Sequence, residues 1–173
     1  MQFRFETTYN SKTLSVMAKG LQKTVRKKRN RRARTIGWFA ILLGLVLLLY
    51  SEGQSFSGTA VTAVALAAML ITLMCEDKIN GWFAAKRMLK GTEKAIAVFD
   101  TDIPDSFSSR TDIGASQFMY SAVSAIAETD THFVFALNFS YAQLYDKSSL
   151  TGGTVDEFRT FICERTGKKI TPA

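Results

Sequence analysis

The stretch Ile36–Tyr50, IGWFAILLGLVLLLY, carries no charge, and it limits what this chain can become more than any other. Residues 35–51 are uncharged throughout. As a helix these residues span roughly 25 Å, slightly short of the ~30 Å hydrocarbon core of a bilayer. Arg34 stands immediately before the run, where a snorkelling side chain adds reach. Nine residues of the run are Leu, Ile or Val. Each contributes about −0.3 to −0.6 kcal/mol near the bilayer centre. A helix that is apolar all round needs a large core on every side, or lipid. The pattern favours lipid.

A second uncharged run, SGTAVTAVALAAMLITLMC, covers residues 57–75 and is richer in Ala. Its insertion energy per residue is weaker, so it is expected to insert as the return arm of the first helix. The link SEGQSF, 51–56, has a length that suits a tight helical hairpin. Gly37, Ala40 and Gly44 fall on one face of the first helix, and the second offers Thr59, Ala63 and Ala67. Small faces let helix backbones approach closely in lipid, so these six residues are the predicted packing face.

Lys and Arg set the orientation. Nine basic residues and no acidic one lie between Lys19 and Arg34, and Lys78, Lys86, Arg87 and Lys90 follow the second run. The link between the runs has none. The positive-inside rule therefore predicts two spans with both termini in the cytoplasm. A secretory signal is disfavoured, because its basic region would be very long and a second span follows. The net charge of +7 is divided: residues 1–90 carry fifteen Lys/Arg against four Asp/Glu, and residues 91–173 carry seven against eleven. A basic membrane-proximal half suits an anionic inner leaflet. No nucleic-acid motif accompanies it, so no nucleic-acid partner is expected. Within this half, Arg26, Lys27, Lys28, Arg29, Arg31, Arg32 and Arg34 are the candidate contacts to anionic lipid or to a protein partner. At the least, they fix topology.

The rest of the chain reads as short elements. Residues 1–8 alternate, Phe3 and Phe5 against Arg4 and Glu6, as in a half-buried strand. From Ser11, Leu14, Met17, Leu21 and Val25 make a helical stripe; Ser11 is a candidate cap, and the helix is expected to run on through the basic block toward the membrane. Residues 76–92, with Trp82 as an interfacial anchor, read as an amphipathic helix leaving the bilayer. Short strands are then predicted over 95–100, 106–110, 116–120, 123–128, 132–137 and 141–145. Such a meander curls into a barrel or sandwich. Thr154 and Glu157 form a capping box for a last helix, with Val155, Phe158, Phe161 and Ile162 as its buried stripe and Gly167 as its stop. The fold class is thus an α+β membrane protein. Its expected units are 1–35, the hairpin 36–75, the interfacial helix 76–92 and a small β domain at 93–173 closed by a helix. The N-terminal strand is expected to join the later sheet, since both ends lie on one side.

The segments YSAVSAIAET at 120–129, HFVFAL at 132–137, AQLYDKSSL at 142–150 and VDEFRTFICERTGK at 155–168, with the order strand, helix, hairpin, meander and helix, resemble the YcxB-like family of small bacterial membrane proteins. Asp146 stands where that family usually has Pro, and Val123 replaces an Ile. The resemblance implies a bacterial cytoplasmic membrane, a soluble part similar to pleckstrin-homology folds, and no assigned biochemical role.

No catalytic pattern emerges. His132 is the lone histidine, Cys75 and Cys163 are far apart, Gly152–Gly153 lack the Lys of a phosphate loop, and Lys147 reads as an exposed turn residue. Glu128 and Asp130 read as a turn rather than a catalytic pair. The chain is expected to be a non-enzymatic binding protein without cofactor or metal, able to associate with itself, whose cytoplasmic module engages lipid headgroups or a partner. The alternative is an immunity or regulatory factor acting through its hairpin on another membrane protein or toxin.

Overall fold

The computed structural model describes residues 1–49, 56–75, 78–79, 82, 94–138 and 141–173. Of the expected interfacial helix only Lys78, Ile79 and Trp82 are described, all helical; the remainder of 76–92, and 51–55 of the link, lie outside the described residues.

Strand β1, Gln2–Thr8, buries Phe3, Phe5 and Thr7 and exposes the residues between them. Strand β2, Lys94–Asp100, buries Ala95, Ala97 and Phe99 in the same rhythm. The two pair antiparallel along their whole length, from Gln2↔Asp100 to Thr8↔Lys94. Residues 9–93, with both apolar runs, are therefore an insertion between neighbouring strands. As expected of the N-terminal strand, β1 joins the sheet of the later strands. Strands β3, Ser106–Thr111, and β4, Gly114–Met119, complete a sheet of order β1-β2-β3-β4.

The second sheet has order β7-β6-β5-β8, with β5 at Ala125–Glu128, β6 at His132–Ala136, β7 at Ala142–Asp146 and β8 at Ile170–Pro172. Strand β8 runs parallel to β5 and was not foreseen. It is three residues long, too short to carry a readable period. Neither sheet closes into a barrel. The two share one aromatic core instead: Phe5 of β1 lies 5.6 Å from the Tyr145 ring of β7, and Phe99 of β2 lies 5.9 Å from Phe135 of β6.

Helix α4, Val155–Thr166, closes this core. (Helices are numbered α1–α4 in chain order.) Its capping box forms as expected, Glu157 N–H donating to Thr154 Oγ1 and Thr154 N–H to Glu157 Oε2. Gly167 ends it in the left-handed region at φ 64°. The Gly152–Gly153 loop does more than lend freedom. Gly152 has φ 88°, and a Cβ there would sit 1.8 Å from the Gln2 carbonyl oxygen, so only Gly lets the loop cross β1 this closely. Phe158 is the hub: its ring lies 4.7 Å from Phe5, 5.0 Å from Phe99, 5.3 Å from Phe133 and 5.4 Å from Phe3.

Helix α1, Ser11–Lys23, covers the outer face of the second sheet. Its cap is Asn10, whose side chain accepts from the Lys12 and Thr13 amides at 2.9 Å, rather than Ser11. Leu21 packs with Val134, Ala136, Ala142 and Leu144. Strand β6 is thus buried on both faces, which is why HFVFA is apolar without alternation. Gly20 permits the contact: a Cβ there would stand 2.8 Å from Val134 Cγ2.

Helices α2, Lys27–Leu49, and α3, Phe56–Met74, pack side by side and antiparallel. The direction follows from the contacts: a Cβ on Gly37 would meet Leu73 at 2.9 Å, and one on Gly44 would meet Leu66 at 2.6 Å. Gly37, Ala40, Ile41 and Gly44 make the covered face of α2. On α3 the covered positions are Thr59, Thr62, Leu66, Leu70 and Leu73, while Ala63 and Ala67 face outward. The contact is Leu into a glycine notch, not small residue against small residue. Bulky side chains fill the gap that a second small face would leave, and dispersion rewards the filled gap. Among the described residues α2 is long and apolar enough to cross a membrane, and the apolar part of α3, Gly58–Met74, is shorter. By that measure the expected pair of spans reduces to a single candidate span with a packed companion.

Two substitutions test this packing. Phe158→Ala should cost about 3–5 kcal/mol, read as earlier loss of near-ultraviolet circular dichroism on heating in detergent. Gly20→Val should cost about 1–3 kcal/mol, because overpacking against Val134 forces α1 off the sheet. A Gly20→Val protein as stable as the parent would contradict the close approach.

Candidate functional site

The sequence leads one to expect α1 to run straight on into the apolar segment. Instead the chain turns at residues 24–26. Thr24 donates from its amide and its hydroxyl to the Gly20 carbonyl, at 3.2 and 2.7 Å, and closes α1. The Arg26 amide donates to Leu21 O at 2.9 Å, and the Lys27 amide to Thr24 O at 3.2 Å. Asn30 Nδ2 then donates to Gln22 Oε1 at 3.1 Å, strapping α2 back onto α1. The turn has a physical source. Leu21, with Val16 and Met17, holds α1 on the sheet, whereas the basic block has no apolar face to continue that contact.

Between α1, the first turns of α2 and the end of β8 lies an open cleft of about 870 Å³. Lys19, Lys23, Lys27, Arg31 and Arg34 line it, and Trp38 stands at its apolar end. Among the described residues no carboxylate side chain lines it and no ion pair engages any of the five cations. Such a cleft concentrates positive potential and draws anions to it. Of the seven basic residues singled out from the sequence, Lys27, Arg31 and Arg34 line the cleft. Lys28, Arg29 and Arg32 lie outside it and are exposed, and Arg26 sits half-buried in the turn. Lys19 and Lys23 were missed as contacts. Their four-residue spacing continues through 27 and 31, but the turn at 24–26 breaks the helical face, so the sequence alone does not place them with the cations of α2.

Just beyond the cleft the character of α2 inverts. Ile36, Phe39, Leu42 and Leu47 are each more than 60 % exposed. On α3, Val61 and Val64 are as open. An apolar surface of this extent has a physical meaning only against lipid or another apolar surface.

A second charged cluster is structural. Glu128 on β5 accepts from Arg159 of α4 at 2.6–3.1 Å and pairs with Lys147 Nζ at 2.6 Å. Arg159 also pairs with Asp156. Lys147 further donates to Thr129 O at 2.6 Å and lies over the Phe133 ring, so it is not the exposed turn residue expected. Burial pushes the Glu128 carboxyl up, but the hydrogen bonds and charges of Arg159 and Lys147 outweigh it and hold the group below its ordinary value. His132 is buried; burial lowers its pKa, and Nδ1 lies 2.7 Å from Thr131 Oγ1. Its Nε2 and the Tyr120 hydroxyl have no partner among the described residues, and burial pushes the Tyr120 phenol up to about 12. Cys75 and Cys163 are both free thiols. No group of three His, Cys, Asp or Glu among the described residues could hold a metal ion.

Compared with family models, with curated proteins and with solved structures, the chain matches none.

Because the folded pKa of Glu128 is depressed, its contribution to stability is full above the unfolded value near 4.5 and is lost as pH falls through the folded value. Glu128→Gln should therefore lower stability by about 1–3 kcal/mol at pH 7. The melting temperatures of parent and variant should converge in acid. A gap that stays constant down to pH 3 would assign the loss to packing rather than charge.

Proposed function

We propose that this protein is integral to a bacterial cytoplasmic membrane. In this reading α2 and α3 form a two-span hairpin, and the two-sheet module, the basic elbow and both termini lie on the cytoplasmic side. It acts by binding anionic headgroups, alone or with a protein partner, and not by catalysis. The observation that carries the reading is the boundary at the start of the apolar part of α2: five cations without an ion pair among the described residues end at Arg34, and an exposed apolar face begins at Ile36. That is the charge profile of a helix entering a membrane from an anionic leaflet.

The β1–β2 ladder supports an even number of crossings. A chain that leaves through α2 must return before Lys94 pairs with Thr8, and antiparallel α3 is the described segment able to bring it back. The shorter apolar length of α3 is accommodated at modest cost by local thinning of the bilayer. Two antiparallel-rich sheets with a C-terminal helix packed on their shared core support the pleckstrin-homology-like part of this reading.

Topology is testable with an impermeant maleimide on spheroplasts. Ser51→Cys and Gly114→Cys are placed singly in a Cys75→Ser, Cys163→Ser background. The link position should label from outside, and the β3–β4 turn only after permeabilisation. Labelling of both from outside, or a product released by carbonate without detergent, would sink the two-span reading.

A further inference from the structure

The seven candidate basic residues of the sequence form one block, but the fold divides them. Lys27, Arg31 and Arg34 join Lys19 and Lys23 of α1 around the cleft, and Lys28, Arg29 and Arg32 lie outside it. A topology signal needs only charge near the membrane and no particular placement. Here two helices from opposite sides of a turn bring their cations to one concavity. That turn is fixed by the Thr24 cap and the Asn30–Gln22 strap. The third wall, Thr171 and Pro172 of β8, is held in turn by β5. The concavity thus belongs to the tertiary structure and not to one helix. Its apolar end is Trp38, one turn beyond Arg34, at the level where α2 becomes apolar.

We propose that this cleft seats the headgroup of an anionic phospholipid carrying two phosphates, its acyl chains leaving past Trp38 along the exposed face of α2. The proposal rests on the membrane reading given above and adds to it a defined site and a preferred lipid chemistry. Charge and size both point to more than one phosphate, and a two-phosphate headgroup is the smallest that meets this. Five cations with no opposing carboxylate side chain among the described residues exceed what one phosphate neutralises, and about 870 Å³ is more than one phosphate fills. Basic pockets beside membrane helices are suited to such headgroups. Lys and Arg are the side chains that meet phosphate, Arg through its planar fork and Lys as a point charge. The indole of Trp38 supplies the amphipathic edge expected where headgroup meets hydrocarbon.

The test uses the full chain in mixed detergent micelles, with bound lipid counted by native mass spectrometry. The probes are phosphatidylcholine, phosphatidylglycerol and diphosphatidylglycerol, the two anionic lipids matched in total charge. Two variants remove the same number of charges: Lys19→Gln/Lys23→Gln/Arg31→Gln inside the cleft, and Lys28→Gln/Arg29→Gln/Arg32→Gln outside it. The parent should retain the diphosphate lipid over the monophosphate lipid by about fivefold or more, the effect of roughly one extra charge contact. The cleft variant should lose that preference, and the outer variant should keep it while binding both anionic lipids less. If both variants lose the preference equally, bulk attraction accounts for the binding and the cleft is overturned as a site, although the anionic-lipid reading survives. If the parent does not distinguish either anionic lipid from phosphatidylcholine, the headgroup reading itself falls. Millimolar inorganic pyrophosphate provides the last arm. Retention of the lipid in its presence supports a headgroup seat, and complete displacement would reassign the cleft to a soluble phosphate compound.

Discussion

The structure depends on one pairing, the antiparallel ladder between β1 and β2. It joins residues that the sequence separates by the whole apolar insertion, and it is continuous from Gln2↔Asp100 to Thr8↔Lys94. Strand β1 is held on its other edge as well. Arg4 exchanges two backbone hydrogen bonds with Thr151, at 3.0 and 2.9 Å, and Thr7 Oγ1 accepts from the Asp146 amide. The first strand is therefore a seam between the two sheets. Without it the core would lose Phe3 and Phe5, both of which meet Phe158. The closure entropy of so long a connection grows only slowly with its length. The insertion therefore adds little to the cost of making the ladder.

The same seam couples the soluble module to the elbow. Strand β1 leads directly into α1, and α1 is pressed onto the second sheet at Gly20 and Leu21. The elbow then starts from a helix whose position the core has already set. The cations of α1 are fixed relative to β5 and β8, and the strap from Asn30 to Gln22 brings those of α2 to the same place. Packing thus turns a run of charges into a shaped cleft, through a helix that is part of the core. Helix α4 is tied in a similar way across both sheets. Arg159 reaches Glu128 of the second sheet, and Arg165 donates to Thr101 O, at the end of β2, at 2.6 Å.

Much of the secondary structure was legible where local chemistry decides it. The alternation in β1 and β2, the Thr154–Glu157 box and the Gly167 stop are local signals, and each element stands within a residue or two of its expected place. Three features were not legible. The turn at 24–26 depends on α1 being held by a sheet more than a hundred residues away. Strand β8 is too short to show a period and exists because β5 offers a parallel edge. The outward position of Ala63 and Ala67 follows from which face of α3 meets the glycine notches of α2, a choice between faces of similar hydropathy. In the candidate site, the charge of residues 26–34 was evident from composition. The membership of Lys19 and Lys23, and the exclusion of Lys28, Arg29 and Arg32, required the two helix axes.

By itself the sequence determined that this chain carries long apolar helical segments beside a concentrated positive charge. It also determined that an aromatic β module with a capped last helix follows them. Those properties are set by composition and by periods of two and 3.6 residues, which need no distant partner. Only the tertiary structure decided that the first and second strands are neighbours, that the β domain stays open as two sheets, and that the cations of two helices share one cleft. Each of these depends on contacts between residues far apart in the chain, and a local pattern carries no record of which distant surface will cover it.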